Sequence, residues 1–290
     1  MASTLLRSVL YVPGSNPKAL AKAPGLGADA LILDLEDSVA PEAKAAARDN
    51  IRTTLPGMAG QSLHRTVRIN GVETSLWQAD LDGVLPGNPE AITLPKVEHP
   101  NQVETVATYL AAREPEGKSL PIWAMIESPL GVLNAFAIAT HPRVSCLVLG
   151  TSDLGKDLGV EATPEREALH TALQMTVLAA RAAKVAVVDG VFLDLKDAAG
   201  LAAQCAQGVR FGFDGKTVIH PTQVTAANAA FLPSPEAVTR ARALVASWQA
   251  ARERGEEICV VDGRLVERLH VVQAERILDL ARRAAEKKPA

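Results

Sequence analysis

The chain has 290 residues, of which 48% are hydrophobic and 22% are charged, and this composition is typical of a folded protein with a large core. Its formal net charge of -3 excludes a global basic field for nucleic acid or an anionic membrane, so we expect small-molecule partners. No apolar run approaches about 18 residues, and Pro13 and Gly14 come too early for a secretory signal. We therefore expect a cytoplasmic protein.

Cysteine and histidine spacing argues against a zinc site or a disulfide framework. The three cysteines lie far apart without a C-x-x-C pair, and the six histidines show neither H-x-x-H nor H-E-x-x-H spacing. Any metal should therefore be bound by oxygen atoms.

Eight short apolar runs alternate with longer amphipathic stretches, a pattern typical of a parallel sheet that is buried on both faces. The runs occupy residues 8–14, 30–37, 66–70, 91–97, 121–128, 146–154, 186–192 and 211–216. Helix start signals lie between them, for example at Pro41 and at Thr163-Pro164. The alternation predicts a (β/α)8 barrel, the TIM-barrel fold, over residues 1–232. An open doubly wound sheet is the alternative, but no G-x-G-x-x-G motif follows the first run.

The pattern changes after residue 232. Ser234 and Pro235 predict the cap and first turn of a long helix that ends near Arg254. The segment EICVVDGRLVE predicts a β-hairpin, because Asp262-Gly263 suits the positive φ angles of a tight turn. A helix is predicted from about residue 268 to 287. Residues 233–290 should thus form a helix–hairpin–helix appendage to the barrel.

Polar residues at the ends of the predicted strands are the candidates for chemistry, because reacting groups of parallel barrels lie at the carboxyl ends of the strands. In chain order they are Asp34, Glu36, Asp37, Arg68, Asn70, Lys96, Glu127 and Asp153. Glu127 and Asp153 end adjacent runs and predict an oxygen site suited to Mg²⁺ or Mn²⁺. Alternatively, Glu127 caps the following helix and Asp153 binds local backbone N–H groups.

Arg68 lies in the alternating run TVRIN, so Val67 and Ile69 should face the helices while Arg68 points into the barrel. A buried guanidinium needs an anion. Glu36 or Asp37 could satisfy it structurally, or it could bind a substrate carboxylate while Glu36 orients it.

Lys96 follows Pro95, and barrel aldolases can use a lysine as a Schiff-base nucleophile. Because a metal held by two carboxylates and an inner arginine would already activate the substrate, we expect Lys96 instead to neutralise nearby carboxylates. His220 and Asp189 could line the mouth or serve as structural polar groups.

Eight segments follow one another over nearly the whole chain: LYVPGS, LILDLEDSV, VRIN, LPK, MIESPLGVLNA, LGTSDL, DGVFLD and GFDGKTVIHPTQV. Together they resemble the citrate lyase beta-subunit-like family, which includes malyl-CoA lyases and lies within the HpcH/HpaI aldolase/citrate lyase superfamily. The resemblance implies a (β/α)8 barrel that binds Mg²⁺ through Glu127 and Asp153 while Arg68 holds an oxo-acid. It also implies a coenzyme A thioester as substrate and homotrimers or hexamers, with the appendage packed on a neighbouring subunit.

The hairpin departs from the family's usual D-G-x-M-I-D, whose last Asp is implied to transfer a proton at a neighbouring subunit's mouth. Here Glu267 stands at that position. Glutamate keeps the carboxylate but adds a methylene, and a misplacement of ~1 Å can cost about a hundredfold in rate.

The activity that the resemblance implies is Mg²⁺-dependent carbon–carbon cleavage of a citryl-, malyl- or related 3-hydroxyacyl thioester. The products would be an oxo-acid, of the oxaloacetate or glyoxylate type, and an acyl thioester. Glu267 would move the proton and Glu36 would steady Arg68, while the substrate-binding set would be Arg68, Glu127, Asp37 and Lys96. The alternatives are an acyl-CoA thioester hydrolase that uses the same site, and a noncatalytic or complex-bound subunit that needs an acyl-carrier partner.

Overall fold

Eight parallel strands close into a barrel in chain order, with β1 paired to both β2 and β8. The computed structural model describes residues 5–115, 117–161 and 163–287. The strands are β1 (Ser8–Pro13), β2 (Ala30–Asp34), β3 (His64–Arg68), β4 (Ala91–Leu94), β5 (Ile122–Ile126), β6 (Val144–Leu149), β7 (Ala186–Asp189) and β8 (Gly215–Val218). The predicted (β/α)8 fold is therefore confirmed.

Helices connect successive strands and cover the outside of the sheet. They are α1 (Pro17–Lys22), α2 (Lys44–Thr54), α3 (Trp77–Val84), α4 (Pro100–Ala111), α5 (Pro129–Leu133), α6 (Ala135–Ala139), α7 (Thr151–Leu158), α8 (His170–Ala183), α9 (Ala198–Phe211) and α10 (Pro221–Ala230). Proline at the first turn of several helices and side-chain caps such as Asp197, which accepts from the Gly200 N–H, determine where they begin.

Strand alternation divides the apolar side chains between two cores. Ile32, Met125 and Val148 belong to a cluster inside the barrel, whereas Leu31 and Leu33 pack outward against the helices. Each fully buried side chain of this size contributes about 1.5–3 kcal/mol. The same alternation determines which polar residues point inward at the strand ends.

The predicted eighth strand was displaced. Residues 211–216 were assigned to it, but α9 runs to Phe211 and β8 begins at Gly215. Gly212 ends the helix in the left-handed conformation, with a φ of 94°, and Asp214 then accepts a hydrogen bond from the Val187 N–H. The strand consequently starts later than the apolar residues around Gly212 suggested.

The chain divides into two compact units, one that extends to Phe231 and a second that begins at Leu232. The second unit contains α11 (Pro235–Glu253), β9 (Cys259–Val261), β10 (Arg264–Val266) and α12 (Arg268–Glu286), which is the predicted helix–hairpin–helix. Asp262 and Gly263 form the turn with φ angles of 50° and 73°. Among the residues that the structure describes, no helix has the length and apolarity needed to cross a membrane.

Candidate functional site

Arg68 and Asp34 form a buried ion pair at the mouth, meaning the carboxyl ends of the strands and the loops that follow them. Asp34 ends β2 and Arg68 ends β3, and the strand register aligns the two residues. Nε of Arg68 donates to Oδ1 at 2.6 Å and Nη2 donates to Oδ2 at 2.8 Å. Burial alone would raise the pKa of Asp34, but the charge and hydrogen bonds of Arg68 hold it below its ordinary value. This two-point contact fixes the plane of the guanidinium.

The other terminal nitrogen of Arg68, Nη1, faces two more carboxylates. It lies 2.9 Å from Glu36 Oε2 and 3.5 Å from Asp37 Oδ2. Despite the short distance, Glu36 Oε2 accepts no hydrogen bond. The guanidinium also lies 4.9 Å from the centroid of the Tyr11 ring, which packs on the inner cluster. Arg68 therefore points into the barrel, as the alternation predicts. Asp34 binds two of the three guanidinium nitrogens, and Glu36 lies beside the third, so the predicted role of Glu36 in orienting Arg68 stays a prediction.

Lys96 connects two carboxylates of the mouth. Its Nζ donates to Glu36 Oε1 at 2.7 Å, and its backbone N–H donates to Glu127 Oε1 at 2.7 Å. The φ of Lys96 is 53°, a left-handed conformation that costs a non-glycine residue about 1–2 kcal/mol. The contact with Glu36 agrees with the neutralising role predicted for the side chain, and the backbone contact is an additional one that the sequence did not indicate.

Glu127 directly follows β5 and is 4% exposed. A Cβ at position 150 would overlap the Cβ and Oε2 of Glu127, so Gly150 makes room for this carboxylate. Burial and then repulsion by Glu36 raise the pKa of Glu127 to about 7, with a further contribution from Asp153. Capping of α5, the alternative role for Glu127, belongs to Ser128, which accepts from the Gly131 N–H.

Asp153 lies one element later than predicted. The run 146–154 was assigned to a strand, but β6 ends at Leu149 and Asp153 is in the first turn of α7. The positive end of a helix favours a carboxylate at that position. The side chain is 37% exposed, and Lys156 Nζ donates to it at 3.4 Å. Asp153 and Glu127 are close enough for the charge of one to affect the pKa of the other.

Carboxylates outnumber cations at the mouth. Three cations, Arg68, Lys96 and Lys156, stand among five acidic side chains: Asp34, Glu36, Asp37, Glu127 and Asp153. Within the described ranges no three His, Cys, Asp or Glu side chains are arranged to hold a metal ion. The excess of negative charge and the hard oxygen donors of Glu127 and Asp153 nevertheless fit Mg²⁺, which usually binds one or two carboxylates and keeps several waters.

A second set of charges lies behind β7 and β8. Asp189 and Lys216 are fully buried and 3.1 Å apart, and Arg166 Nη1 donates to Asp189 at 2.8 Å. Asp189 therefore serves as a structural polar group, one of the two roles considered for it. His220 likewise caps α10 by accepting from the Thr222 N–H.

Sequence reasoning missed the part that Asp34 plays, although the signal was present. In β2, Asp34 has the same parity as the inward-facing Ile32, and in β3 Arg68 has the same parity as Thr66. Adjacent parallel strands that end in inward-facing residues of opposite charge predict this ion pair. No such signal identifies the backbone contact between Lys96 and Glu127.

Glu267 belongs to the second unit, where it caps a helix. It immediately precedes α12, its side chain accepts from the backbone of the first turn, and the His270 ring accepts from the Glu267 N–H at 3.0 Å. The core of this unit contains Trp248, Val266 and Val271. Of the predicted site residues, the mouth thus contains Arg68, Glu36, Asp37, Lys96, Glu127 and Asp153, whereas Glu267 is part of the hairpin unit.

Comparisons with known proteins identify a family, curated relatives and a solved structure that this chain resembles. The family model described as HpcH/HpaI aldolase/citrate lyase matches residues 7–221. A (3S)-malyl-CoA thioesterase of Cereibacter sphaeroides is 46% identical over 94% of this chain and 93% of its own, and an L-malyl-CoA/beta-methylmalyl-CoA lyase of that species is 35% identical over the same shares. The solved structure of CitE from Mycobacterium tuberculosis in complex with magnesium, acetoacetate and coenzyme A matches with a TM-score of 0.78 and 29% identity, covering 96% of this chain and 97% of that one.

Proposed function

Because the chain belongs to the HpcH/HpaI aldolase/citrate lyase family, we propose that it is a Mg²⁺-dependent enzyme that hydrolyses a malyl-type coenzyme A thioester. The observation that carries this choice is the 46% identity to the (3S)-malyl-CoA thioesterase over 94% of the chain, compared with 35% to the malyl-CoA lyase. The mouth supports it because a substrate with a carboxylate and carbonyl oxygens matches two cations beside a pair of metal-binding acids.

Glu127 and Asp153 would hold the metal. The excess of acids around them and the magnesium in the solved CitE relative support this assignment. When bound, Mg²⁺ supplies positive charge that stabilises negative charge on a substrate oxygen. Mn²⁺ has similar oxygen preferences and would substitute for it.

Arg68 and Lys96 would bind the acidic end of the substrate. Asp34 engages Nε and Nη2 of Arg68, so Nη1 is the nitrogen that can accept a ligand in exchange for Glu36 and Asp37. The side chain of Lys96 is 45% exposed, so a carboxylate can reach its amine. Hydrogen bonds between charged partners are about twice as strong as neutral ones, which favours an anionic substrate over a neutral analogue.

Hydrolysis needs one water and one group that accepts its proton. The water oxygen bonds to the thioester carbonyl carbon, the carbon–sulfur bond breaks, and the coenzyme A thiolate receives the proton as the free acid leaves. We assign the proton transfer to Glu267 of a neighbouring copy in a homotrimer or hexamer. The exposed apolar side chains Val260, Leu265 and Leu269 around that hairpin support a second chain packing there.

Carbon–carbon cleavage is the second candidate, favoured by the malyl-CoA lyase relative. In that reaction the hydroxyl proton leaves, the bond between the hydroxyl-bearing carbon and its methylene neighbour breaks, and the thioester enolate is protonated. The products are glyoxylate and acetyl-CoA, and no thiol is released. Besides the lower identity to the lyase, the longer arm of Glu267, compared with the Asp of the usual family pattern, is a second reason to place this reaction second.

One assay separates the two reactions. Purified protein is incubated with (3S)-malyl-CoA and Mg²⁺, and free thiol and glyoxylate are measured in parallel samples, with EDTA as the metal-free control. We expect thiol release without glyoxylate, and loss of that release in EDTA. Glyoxylate and acetyl-CoA without thiol would instead establish the lyase. If neither product forms until an acyl-carrier subunit is added, the protein works as part of a complex and our proposal is wrong.

A further inference from the structure

Lys44 is a buried lysine whose amine binds only neutral oxygens in the contacts that the structure gives it. It is the first residue of α2 and is 8% exposed. Nζ donates to the carbonyl oxygen of Leu35 at 2.8 Å, to that of Glu36 at 3.0 Å and to Asn70 Oδ1 at 2.8 Å. An ammonium group has three N–H donors, so these contacts use its full capacity.

The two carbonyl groups flank Glu36, and the remaining backbone group of Glu36 is also bound. Its N–H donates to Asp34 Oδ1 at 2.9 Å, and the Leu35 carbonyl accepts a second hydrogen bond from Asn70 Nδ2 at 3.1 Å. The peptide groups on both sides of Glu36 are therefore held by the side chains of Lys44, Asp34 and Asn70. Such contacts fix the backbone of a loop that has no strand or helix of its own.

Asn70 is itself braced. Its backbone N–H and Nδ2 donate to Asp80 Oδ2 at 2.8 and 2.6 Å, and Arg48 Nε donates to the other oxygen of Asp80 at 2.7 Å. Lys44 consequently connects the loop after β2 to a hydrogen-bonded group formed by α2, α3 and the residues after β3.

Glu36 needs this support because its side chain spans two cations. It reaches Arg68 Nη1 at 2.9 Å and Lys96 Nζ at 2.7 Å while being 5% exposed. We propose that Lys44 is a positioning residue that holds Glu36 where its carboxylate binds Lys96 Nζ and faces Arg68 Nη1. Lys44 touches none of the reacting groups, and this inference rests on the proposed function of the mouth.

A double-mutant cycle tests the inference. Lys44→Met keeps the length of the side chain and removes its donors, and it is made both in the wild type and in Glu36→Gln. If Lys44 acts through Glu36, we expect Lys44→Met to lower kcat/KM for (3S)-malyl-CoA by about tenfold to a hundredfold in the wild type, the range for misplaced groups, but by less than about threefold in Glu36→Gln. Lys44→Arg, which retains donors, should restore part of the loss.

Arg7→Met is the matched control. Arg7 is also 8% exposed and pairs with Asp29 through Nε and Nη2 at 2.8 and 2.9 Å, but it precedes β1 at the opposite end of the barrel. It should lower stability and leave kcat/KM of the folded protein unchanged. If Lys44→Met does not fold, the cycle is run with Lys44→Arg, for which we expect the same dependence on Glu36.

Two results would overturn the positioning role: equal losses for the Lys44 variant with and without the Glu36 carboxylate, or a loss no greater than that of Arg7→Met. Failure of the proposed function is a different result, because the wild-type protein would then turn over no thioester. In that case the cycle is read from Mg²⁺-dependent binding of oxaloacetate by calorimetry, with the same pattern expected.

Discussion

The mouth and the cluster behind β7 and β8 both contain buried charges, and they are balanced in opposite ways. In the cluster, Asp189 accepts from Arg166 Nη1 and Lys216 Nζ. Nε and Nη2 of Arg166 donate to Gln207, and the same Nζ of Lys216 also donates to Gln204 and to the Gly190 carbonyl. At the mouth, acids exceed cations and Glu127 has a raised pKa. The hydrogen bonds of the cluster are satisfied within the chain, whereas the mouth keeps an excess of acids that a bound cation would balance.

This difference separates charges that stabilise the fold from charges that bind a ligand. Removing a partner from a complete buried network leaves an uncompensated charge and mainly lowers stability. Removing a carboxylate from a site with excess acid relieves repulsion and mainly lowers ligand affinity. The predictions below apply this distinction to single residues.

Asp189→Ala should have the largest effect, and the effect should be on stability. The substitution leaves Arg166 and Lys216 buried without their anion, and losing one partner of a buried pair costs about 3–5 kcal/mol of unfolding free energy. Denaturant unfolding monitored by circular dichroism measures this loss. Mg²⁺ affinity of the folded protein should stay at the wild-type value, and a loss below about 1 kcal/mol would mean that the network relaxes without its carboxylate.

Glu127→Gln should show the reverse pattern. The amide is isosteric but lacks the charge, so Mg²⁺ affinity measured by calorimetry should fall by about a hundredfold or more, ~2.7 kcal/mol. Unfolding free energy should be unchanged or higher, because burial disfavours the ionised carboxylate that is removed. Glu104→Gln is the control, since Glu104 is an exposed surface acid paired with His141. Unchanged Mg²⁺ affinity in Glu127→Gln would exclude Glu127 as a metal ligand.

Gly150→Ala should combine a smaller stability loss with impaired metal binding. The new Cβ would overlap the Cβ and Oε2 of Glu127, and overpacking of this kind costs about 1–3 kcal/mol. Gly155→Ala is the matched control, because a Cβ at position 155 of α7 meets no atom within 4 Å and should be neutral or stabilising. Wild-type Mg²⁺ affinity in Gly150→Ala would show that Glu127 can bind metal from a displaced position.

The barrel could be predicted because the period of the apolar runs and their amphipathic connections report local geometry directly. The errors in the strands came from residues that interrupt that period. Leu149 and Leu154 suggested one continuous strand, but Gly150 ends it and α7 begins at Thr151. Residues 211–216 suggested a strand across Gly212, which instead ends α9.

The members of the mouth could be predicted from strand ends, but their partners could not. Position along a strand indicates which side chains meet at the mouth, and it placed Arg68, Lys96 and Glu127 together. The contact from the Lys96 N–H depends on one left-handed φ angle, and the contacts of Lys44 depend on a long side chain that turns back under a loop. Neither property is encoded in hydrophobic periodicity.

The smallest expected effect is a pH dependence of metal binding, and it tests directly whether the mouth carries excess negative charge. The pKa of Glu127 is raised to about 7, so below pH 7 this carboxyl is protonated in the metal-free protein and a proton must leave before Mg²⁺ binds. As pH increases towards 7, the apparent affinity for Mg²⁺ should therefore increase by about tenfold per pH unit, and above pH 7 it should level off. Calorimetry in buffers of different ionisation enthalpy should detect the released proton. Glu127→Gln should remove both the slope and the proton release, and a slope that persists in that variant would assign the titration to another acid of the mouth, such as Glu36, whose pKa burial also raises.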